Sequence, residues 1–175
     1  MDNFEILIVD DLKDNLIALE KLLYKEKRIF HKATTGAEAL KLVLKYPDIG
    51  LILLDVQMPG MDGFEVAKLL NINPQTRNIP FIFVTSNYIG DKDILEGFET
   101  GAVDYLIKPL NPTITKSKVS VFEKLYYKQV ELKKIIAERD IVNAQLERYT
   151  KVMAHDLKTP LAGIASLISL IRMNE

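Results

Sequence analysis

Cysteine is absent from the 175-residue sequence. Without thiols the chain can form no disulfide and offers no thiolate ligand to a metal, which fits a reducing compartment. Long hydrophobic runs are also missing, because the longest, such as 49–54, fall far short of the roughly 20 apolar residues of a spanning helix. The first residues are acidic and lead directly into a predicted strand, so no signal peptide is indicated. We therefore expect a cytoplasmic protein without a membrane span.

The sequence has little net charge, but its two parts differ in sign. Residues 1–115 carry 12 Lys and Arg against 17 Asp and Glu, whereas residues 116–175 carry 11 against 7. The basic residues of the second part are spread along the chain, and nucleic-acid-binding proteins usually cluster them more densely. We therefore expect no nucleic-acid partner.

Short apolar runs alternate with amphipathic stretches over the first 110 residues. This alternation predicts strands at 5–9, 29–33, 51–54, 81–84 and 105–107, and helices at 15–25, 37–46, 63–70 and 94–100. The runs ILIV, LILL and FIFV have no polar alternation, so the central strands should be covered on both faces. The predicted fold class is α/β, with a five-stranded, parallel, doubly wound sheet.

Glycine and proline are absent from residues 113–159, which predicts one helix on the order of 70 Å long. Ten positions there recur at alternating spacings of four and three, and we call them the seam: Val121, Leu125, Lys128, Leu132, Ile135, Arg139, Val142, Leu146, Tyr149 and Met153. Eight are apolar, which is typical of a coiled coil, while the two basic residues weaken it and could set its register. We expect a homodimer through a parallel coiled coil. The alternative is an amphipathic helix packed on its own domain.

The spacing of apolar residues changes after Tyr149. Three consecutive steps of four, ending at Leu161, form a stutter that locally unwinds a left-handed supercoil. Pro160 removes a backbone donor, so a bend is expected close to it.

Polar residues follow four of the predicted strands where each one ends. Asp10 and Asp11, Asp55, Thr85 and Lys108 should meet at one edge, where open α/β sheets bind their ligands. Clustered carboxylates repel one another, and Mg²⁺ suits such oxygen ligands. A carboxylate beside Mg²⁺, an ammonium and a hydroxyl is equipped to attack phosphorus. The alternative for each aspartate by itself is capping of the helix that follows.

The segments ILIVDD, LILLDVQMPGMDG, FIFVTS and DYLIKPL together resemble a response-regulator receiver domain over about residues 3–125. The resemblance implies that Asp55 is the phosphoacceptor and that Asp10 and Asp11 hold Mg²⁺ with it. It implies further roles for four other groups: the backbone carbonyl of Gln57 as the third protein ligand, Thr85 and Lys108 as phosphoryl contacts, and Tyr105 as the switch aromatic that responds to Thr85. The Lys108–Pro109 bond resembles the cis junction of the family.

A second motif, MAHDLKTPLAGI, resembles the phosphoacceptor box of dimeric histidine kinases. Neutral imidazole is a competent nucleophile near pH 7, and a neighbouring carboxylate can orient it and take its proton. The resemblance implies that His155 is a second phosphoacceptor, with Asp156 as the carboxylate that orients it and takes its proton. Asp156 and Thr159 also match a pattern linked to dephosphorylation of a partner receiver, in which Thr159 places the water. The alternative is an exposed histidine among ordinary polar residues. His31 is interpreted only as a strand residue.

These features predict two-component phosphorelay signalling, in which phosphorylation of a receiver aspartate regulates a dimeric histidine-kinase helix. The expected organisation is a receiver at 1–118, a signalling coiled coil at 119–152 and the first part of a phosphoacceptor domain at 153–175. No Gly-rich nucleotide box occurs, so we expect the N-terminal portion of a longer kinase that is inactive as an autokinase by itself, ATP being used only by the full-length enzyme. Partners would be phosphodonor or phosphoacceptor signalling proteins.

Two other functions compete with this hypothesis. One is a stand-alone response regulator whose coiled coil only dimerises or docks a partner. The other is a haloacid-dehalogenase-like phosphohydrolase, which is disfavoured because such enzymes need a second acid two residues after the nucleophile, where this chain has Gln57.

Overall fold

The structure is a computed structural model that describes residues 3–86 and 104–172, except for the side chains of Leu157, Thr159 and residues 165–172. The predicted helix at 94–100 lies outside these residues. The strands are β1 Phe4–Val9, β2 Arg28–Ala33, β3 Ile49–Asp55, β4 Phe81–Thr85 and β5 Asp104–Ile107. The helices are α1 Lys13–Leu23, α2 Gly36–Lys45, α3 Gly63–Ile72 and α4 Pro112–Arg172.

The five strands form one parallel sheet in the order β2-β1-β3-β4-β5. The chain therefore winds outward from β1 in both directions, which confirms the predicted doubly wound α/β fold. In such a sheet the carboxyl ends of the two strands flanking the reversal form a crevice. Here those strands are β1 and β3, and they end next to Asp10 and at Asp55.

The central strands are buried on both faces, as their uninterrupted apolar sequences predict. One face packs against α2 and α3 through a cluster that includes Leu54, Val66 and Phe83. The opposite face packs against α1 and the beginning of α4 through a cluster that includes Ile8, Leu19 and Phe122. The two layers of helices hold the sheet rigid beneath its carboxyl edge.

Local sequence explains where two of the helices begin. The Asp62 side chain accepts a hydrogen bond from the Glu65 backbone N–H at 2.8 Å, and the Glu65 carboxylate accepts one from the Asp62 backbone N–H at 3.3 Å, so a capping box starts α3. Thr35 caps α2 by accepting from the Glu38 N–H at 3.2 Å. These caps fix the ends of the loop between β2 and α2 and of the loop between β3 and α3.

The structure divides into two compact units, Met1–Tyr127 and Lys128–Glu175. In the first unit α4 is fastened by Tyr126, whose ring lies 5.3 Å from that of Phe4. Gly50 is required beneath these rings, because a Cβ there would come within 2.7 Å of both. The functional boundaries at 118 and 152 stay predictions.

In the second unit α4 is helical through Pro160 as far as Arg172. The apolar seam residues from Leu132 to Met153 are 54–69% exposed in the single chain. Coiled-coil pairing, the stutter and the bend near Pro160 stay predictions. Among the helices described, none is both long and apolar enough to cross a bilayer.

Candidate active site

The crevice at the sheet reversal brings three acidic side chains together. Carboxylate oxygens of Asp10, Asp11 and Asp55 all lie within 4.8 Å of one another. Asp10 and Asp55 are buried, and Asp11 is half-buried. The structure thus brings together the three aspartates that were predicted as metal ligands.

Lys108 binds the two buried carboxylates at once. Its Nζ lies 2.9 Å from Asp10 Oδ2 and 2.9 Å from Asp55 Oδ2. The loop that carries Lys108 is fixed by its backbone N–H, which donates to the Thr85 carbonyl at 2.7 Å. The following Lys108–Pro109 bond is cis, as the family resemblance implies. The ammonium therefore partly compensates the negative charge of the site.

Burial and charge shift the acid–base properties of this cluster. Burial raises the pKa of the Asp55 carboxyl above its ordinary value, although the hydrogen bond and positive charge of Lys108 act in the opposite sense. Burial also works to lower the pKa of Lys108, but hydrogen bonds to Asp10 and Asp55 outweigh it and raise that pKa. The ammonium consequently stays charged beside the carboxylates at neutral pH.

Asp10 is held by more donors than its strand-end position indicates. Its Oδ1 accepts from the Leu12 backbone N–H at 3.0 Å, and the Asn15 side-chain amide donates to both oxygens, at 2.8 and 3.0 Å. Asp10 is therefore fixed by the start of α1 without being its N-cap, which is Leu12. The contact of Asn15 was not predicted, because a spacing of five residues across a loop has no sequence signature.

The loop after β3 shapes the other side of the site. The Gln57 backbone N–H donates to Asp55 Oδ1 at 3.3 Å, and the Gln57 side chain accepts from Ser86 Oγ at 2.7 Å. Gly63 lies so close to this loop that a Cβ there would come 2.4 Å from the Asp55 carbonyl oxygen. Metal binding by the Gln57 carbonyl stays a prediction.

The two predicted switch residues lie on β4 and β5. Thr85 is buried at the end of β4, paired in register with Ile107. The Tyr105 ring is half-buried and stacks on Phe83, with centroids 5.5 Å apart. Tyr105 therefore lies on the α2–α3 side of the sheet, and its switching role stays a prediction.

The side chains present fit a magnesium site. Two buried aspartates and a third beside them supply hard oxygen donors, whose mutual repulsion a divalent cation would relieve. Lys108 supplies a basic side chain that donates to two of these carboxylates, Asp10 and Asp55. Asp10, Asp11 and Asp55 are thus the groups that could hold Mg²⁺.

His155 lies in the second unit and is described by itself. Its side chain is 83% exposed, and Nδ1 lies 3.5 Å from Asp156 Oδ1. The side chain of Thr159 is outside the described part of the structure. His155 and Asp156 thus make a long contact that is exposed to solvent.

A buried ion-pair network also escaped prediction. Arg28 binds Glu123 through two hydrogen bonds, Nε to Oε1 at 3.1 Å and Nη2 to Oε2 at 2.8 Å, and Lys25 Nζ reaches Oε2 at 3.0 Å. Arg28 also donates to the Leu23 carbonyl at the end of α1. Charges 95 residues apart give no local signal, so only the fold reveals this connection of β2, α1 and α4.

Comparison with known proteins identifies relatives of this chain. The chain is 44% identical over 114 residues to a probable cyclic di-GMP phosphodiesterase of Vibrio cholerae, and the match covers 65% of this chain and 25% of that protein. It is 42% identical over 115 residues to the response regulator PleD of Caulobacter vibrioides, with the same two coverages of 65% and 25%. The chain thus spans about a quarter of the length of these curated relatives.

The solved structures agree with the sequence relatives. The receiver domain of a signal transduction histidine kinase from Syntrophus aciditrophicus superposes with a TM-score of 0.60 at 31% identity, over 68% of this chain and 89% of that one. A family model described as the response regulator receiver domain matches residues 6–120. On the strength of this match and of the acidic site at the carboxyl edge of the sheet, the chain belongs to the response regulator receiver domain family.

Proposed function

We propose that the first unit is a Mg²⁺-dependent phosphoacceptor of two-component signalling, with Asp55 as the residue modified. The observation that carries the proposal is the ammonium of Lys108 at 2.9 Å from both Asp10 and Asp55, beside a third carboxylate. This arrangement offers a nucleophile and positive charge together at the carboxyl edge of the sheet. It is suited to phosphoryl transfer, whose catalysis is mainly positioning and charge stabilisation.

In the proposed reaction an Asp55 carboxylate oxygen forms a bond to phosphorus. The bond from phosphorus to the donor atom breaks, and its electron pair leaves with the donor, which is an imidazole nitrogen or the acyl oxygen of a small phosphodonor. Lys108 Nζ, freed from the carboxylate, donates to a phosphoryl oxygen, and the Thr85 hydroxyl contacts another. When bound, Mg²⁺ supplies further positive charge for the phosphoryl oxygens.

Chemical phosphorylation tests this proposal. The full chain, incubated with acetyl phosphate and Mg²⁺, should gain one phosphoryl group by intact-mass measurement, and chelation of Mg²⁺ should prevent it. Asp55→Asn should stay unmodified, whereas Asp48→Asn, at an exposed position in the loop before β3, should react like the wild type. Equal modification of Asp55→Asn and wild type would refute Asp55 as the acceptor.

We infer further that the second unit is a dimeric phosphoacceptor helix with His155 as its nucleophile. The inference is supported by the exposure of His155, by Asp156 at Nδ1, and by the exposed apolar seam residues from Leu132 to Met153. A carboxylate at Nδ1 favours the tautomer whose Nε2 lone pair is free for attack. An exposed apolar stripe of this length is best covered by a second copy of the same helix.

A stand-alone response regulator is the second candidate. It is favoured by the response regulator named among the relatives, and in it the seam would only dimerise or dock a partner. The two candidates differ in what the gene encodes after residue 175. A second helix followed by a nucleotide-binding domain would support the kinase, whereas a stop codon or an unrelated output domain would support the response regulator.

A further inference from the structure

Asn15 contacts the acidic site in a way that neither the sequence motifs nor the family match assigns. It lies in the first turn of α1, half-buried, and its amide nitrogen donates to both oxygens of Asp10, at 2.8 and 3.0 Å. The backbone N–H of Asn15 in turn donates to the Leu12 carbonyl at 3.0 Å. The backbone of Asn15 is thus anchored to Leu12, and Asp10 accepts a hydrogen bond from the backbone N–H of that same residue.

The hydrogen bonds to Asp10 come from neutral donors and from one charged donor. An ionised carboxylate offers roughly four lone-pair sites, and here they are reached by Leu12, by Asn15 at both oxygens, and by Lys108. Lys108 is the charged donor, and it is shared with Asp55. A cation arriving between the carboxylates competes with this ammonium, whereas the neutral amide of Asn15 carries no charge that would repel it.

We propose that Asn15 is a positioning residue of the metal site, which fixes the plane of the Asp10 carboxylate through both of its oxygens while Lys108 is displaced. The inference rests on the proposed function, because it takes Asp10 as a group that holds Mg²⁺. Partners that orient metal-binding carboxylates typically contribute about 10–100-fold to metal affinity. Loss of the Asn15 amide should therefore weaken Mg²⁺ binding without removing any ligand.

The test is calorimetric titration of the full chain with MgCl₂. Asn15→Ala removes the donor, and Asn15→Leu removes it while keeping the side chain large, so that a packing defect is distinguished from a lost hydrogen bond. Asn71→Ala, at an exposed site in α3, is the matched control, and Asp11→Asn is the reference for loss of a ligand. Thermal unfolding in EDTA reports whether each variant is folded before metal is added.

Both Asn15 variants are expected to bind Mg²⁺ about 10-fold more weakly than the wild type, while Asn71→Ala binds normally. Wild-type affinity in both Asn15 variants would overturn the inference and leave the proposed function intact. Unfolding of both variants in EDTA would also overturn it, since Asn15 would then be structural. A wild-type chain that binds no Mg²⁺ would instead refute the metal dependence of the proposed function, and this inference with it.

Discussion

Lys108 is the residue on which the chemistry of the site depends most. Its ammonium is shared between Asp10 and Asp55, so one positive charge partly offsets three clustered carboxylates. The same ammonium is the group best placed to meet an incoming phosphoryl oxygen. The proposed function therefore gives Lys108 opposite effects on the two steps: it would oppose metal binding and favour phosphoryl transfer.

This double role leads to a prediction for Lys108→Ala. Mg²⁺ should bind more tightly, by about 10-fold, because the cation no longer competes with an ammonium and meets a more negative cluster. Modification of Asp55 by acetyl phosphate should nevertheless become slower, because a charged donor to the phosphoryl group is lost. Calorimetry and intact-mass kinetics measure the two effects separately.

The control for this prediction is Lys41→Ala, an exposed substitution on α2 that should change neither quantity. Weaker Mg²⁺ binding in Lys108→Ala would mean that the lysine supports the metal site instead of competing with it. An unchanged rate of modification would remove Lys108 from the phosphoryl-transfer step.

At the scale of elements, the Arg28–Glu123 pair connects α4 with β2 and with the end of α1. Both side chains are only 6% exposed, and two hydrogen bonds join them. Removing one partner of a buried pair leaves an uncompensated charge, whereas replacing both partners by apolar residues is often neutral. The pair consequently determines how firmly the first part of α4 is held on the sheet.

Arg28→Met should lower the free energy of unfolding of the first unit by about 3–5 kcal/mol. The double variant Arg28→Met/Glu123→Leu should recover much of this loss, because no charge is then left buried alone. Lys25→Ala, which removes an exposed partner of Glu123, should cost no more than about 1 kcal/mol. Urea denaturation followed by circular dichroism measures all three, and a double variant no more stable than Arg28→Met would contradict the explanation.

The same pair predicts a pH dependence of stability. Burial works to raise the pKa of Glu123, but hydrogen bonds from Arg28 and Lys25 and their positive charges outweigh it and lower that pKa. The stabilisation is therefore fully present above the ordinary glutamate pKa of about 4.3, and it is lost as the pH falls through the lower folded-state value. In urea denaturation between neutral and acid pH, Glu123→Gln should lose less stability on acidification than the wild type, and an equal loss in both would count against this assignment.

The elements themselves were largely predictable, and the contacts between them were not. Strands such as β3 and β4 follow from uninterrupted apolar runs, and α3 follows from an amphipathic pattern. The acidic cluster followed from the rule that parallel strands end at one edge. Asn15, Ser86 and Glu123 were missed because their partners depend on loop conformation or on residues far away in sequence, which periodicity does not encode.

At the scale of the whole molecule, α4 is the element that belongs to both compact units, since it runs from Pro112 to Arg172. Its first turns pack on the sheet, and its later seam residues are exposed. The predicted function, in which phosphorylation of Asp55 regulates a dimeric helix, requires that chemistry at Asp55 changes how two copies of α4 pack against each other. The absence of cysteine makes this claim directly measurable, because one introduced thiol is unique in each chain.

The decisive measurement is the rate of disulfide crosslinking in Leu146→Cys, at the seam, and in Ala144→Cys, on the other side of the helix, with and without Mg²⁺ and beryllofluoride. Crosslinking should be faster at position 146 than at 144. The rate at 146 should change when beryllofluoride and Mg²⁺ are added, and it should not change in the variant that also carries Asp55→Asn. Equal rates at the two positions would contradict the dimer, and a rate at 146 that is the same in both states would contradict the coupling to Asp55.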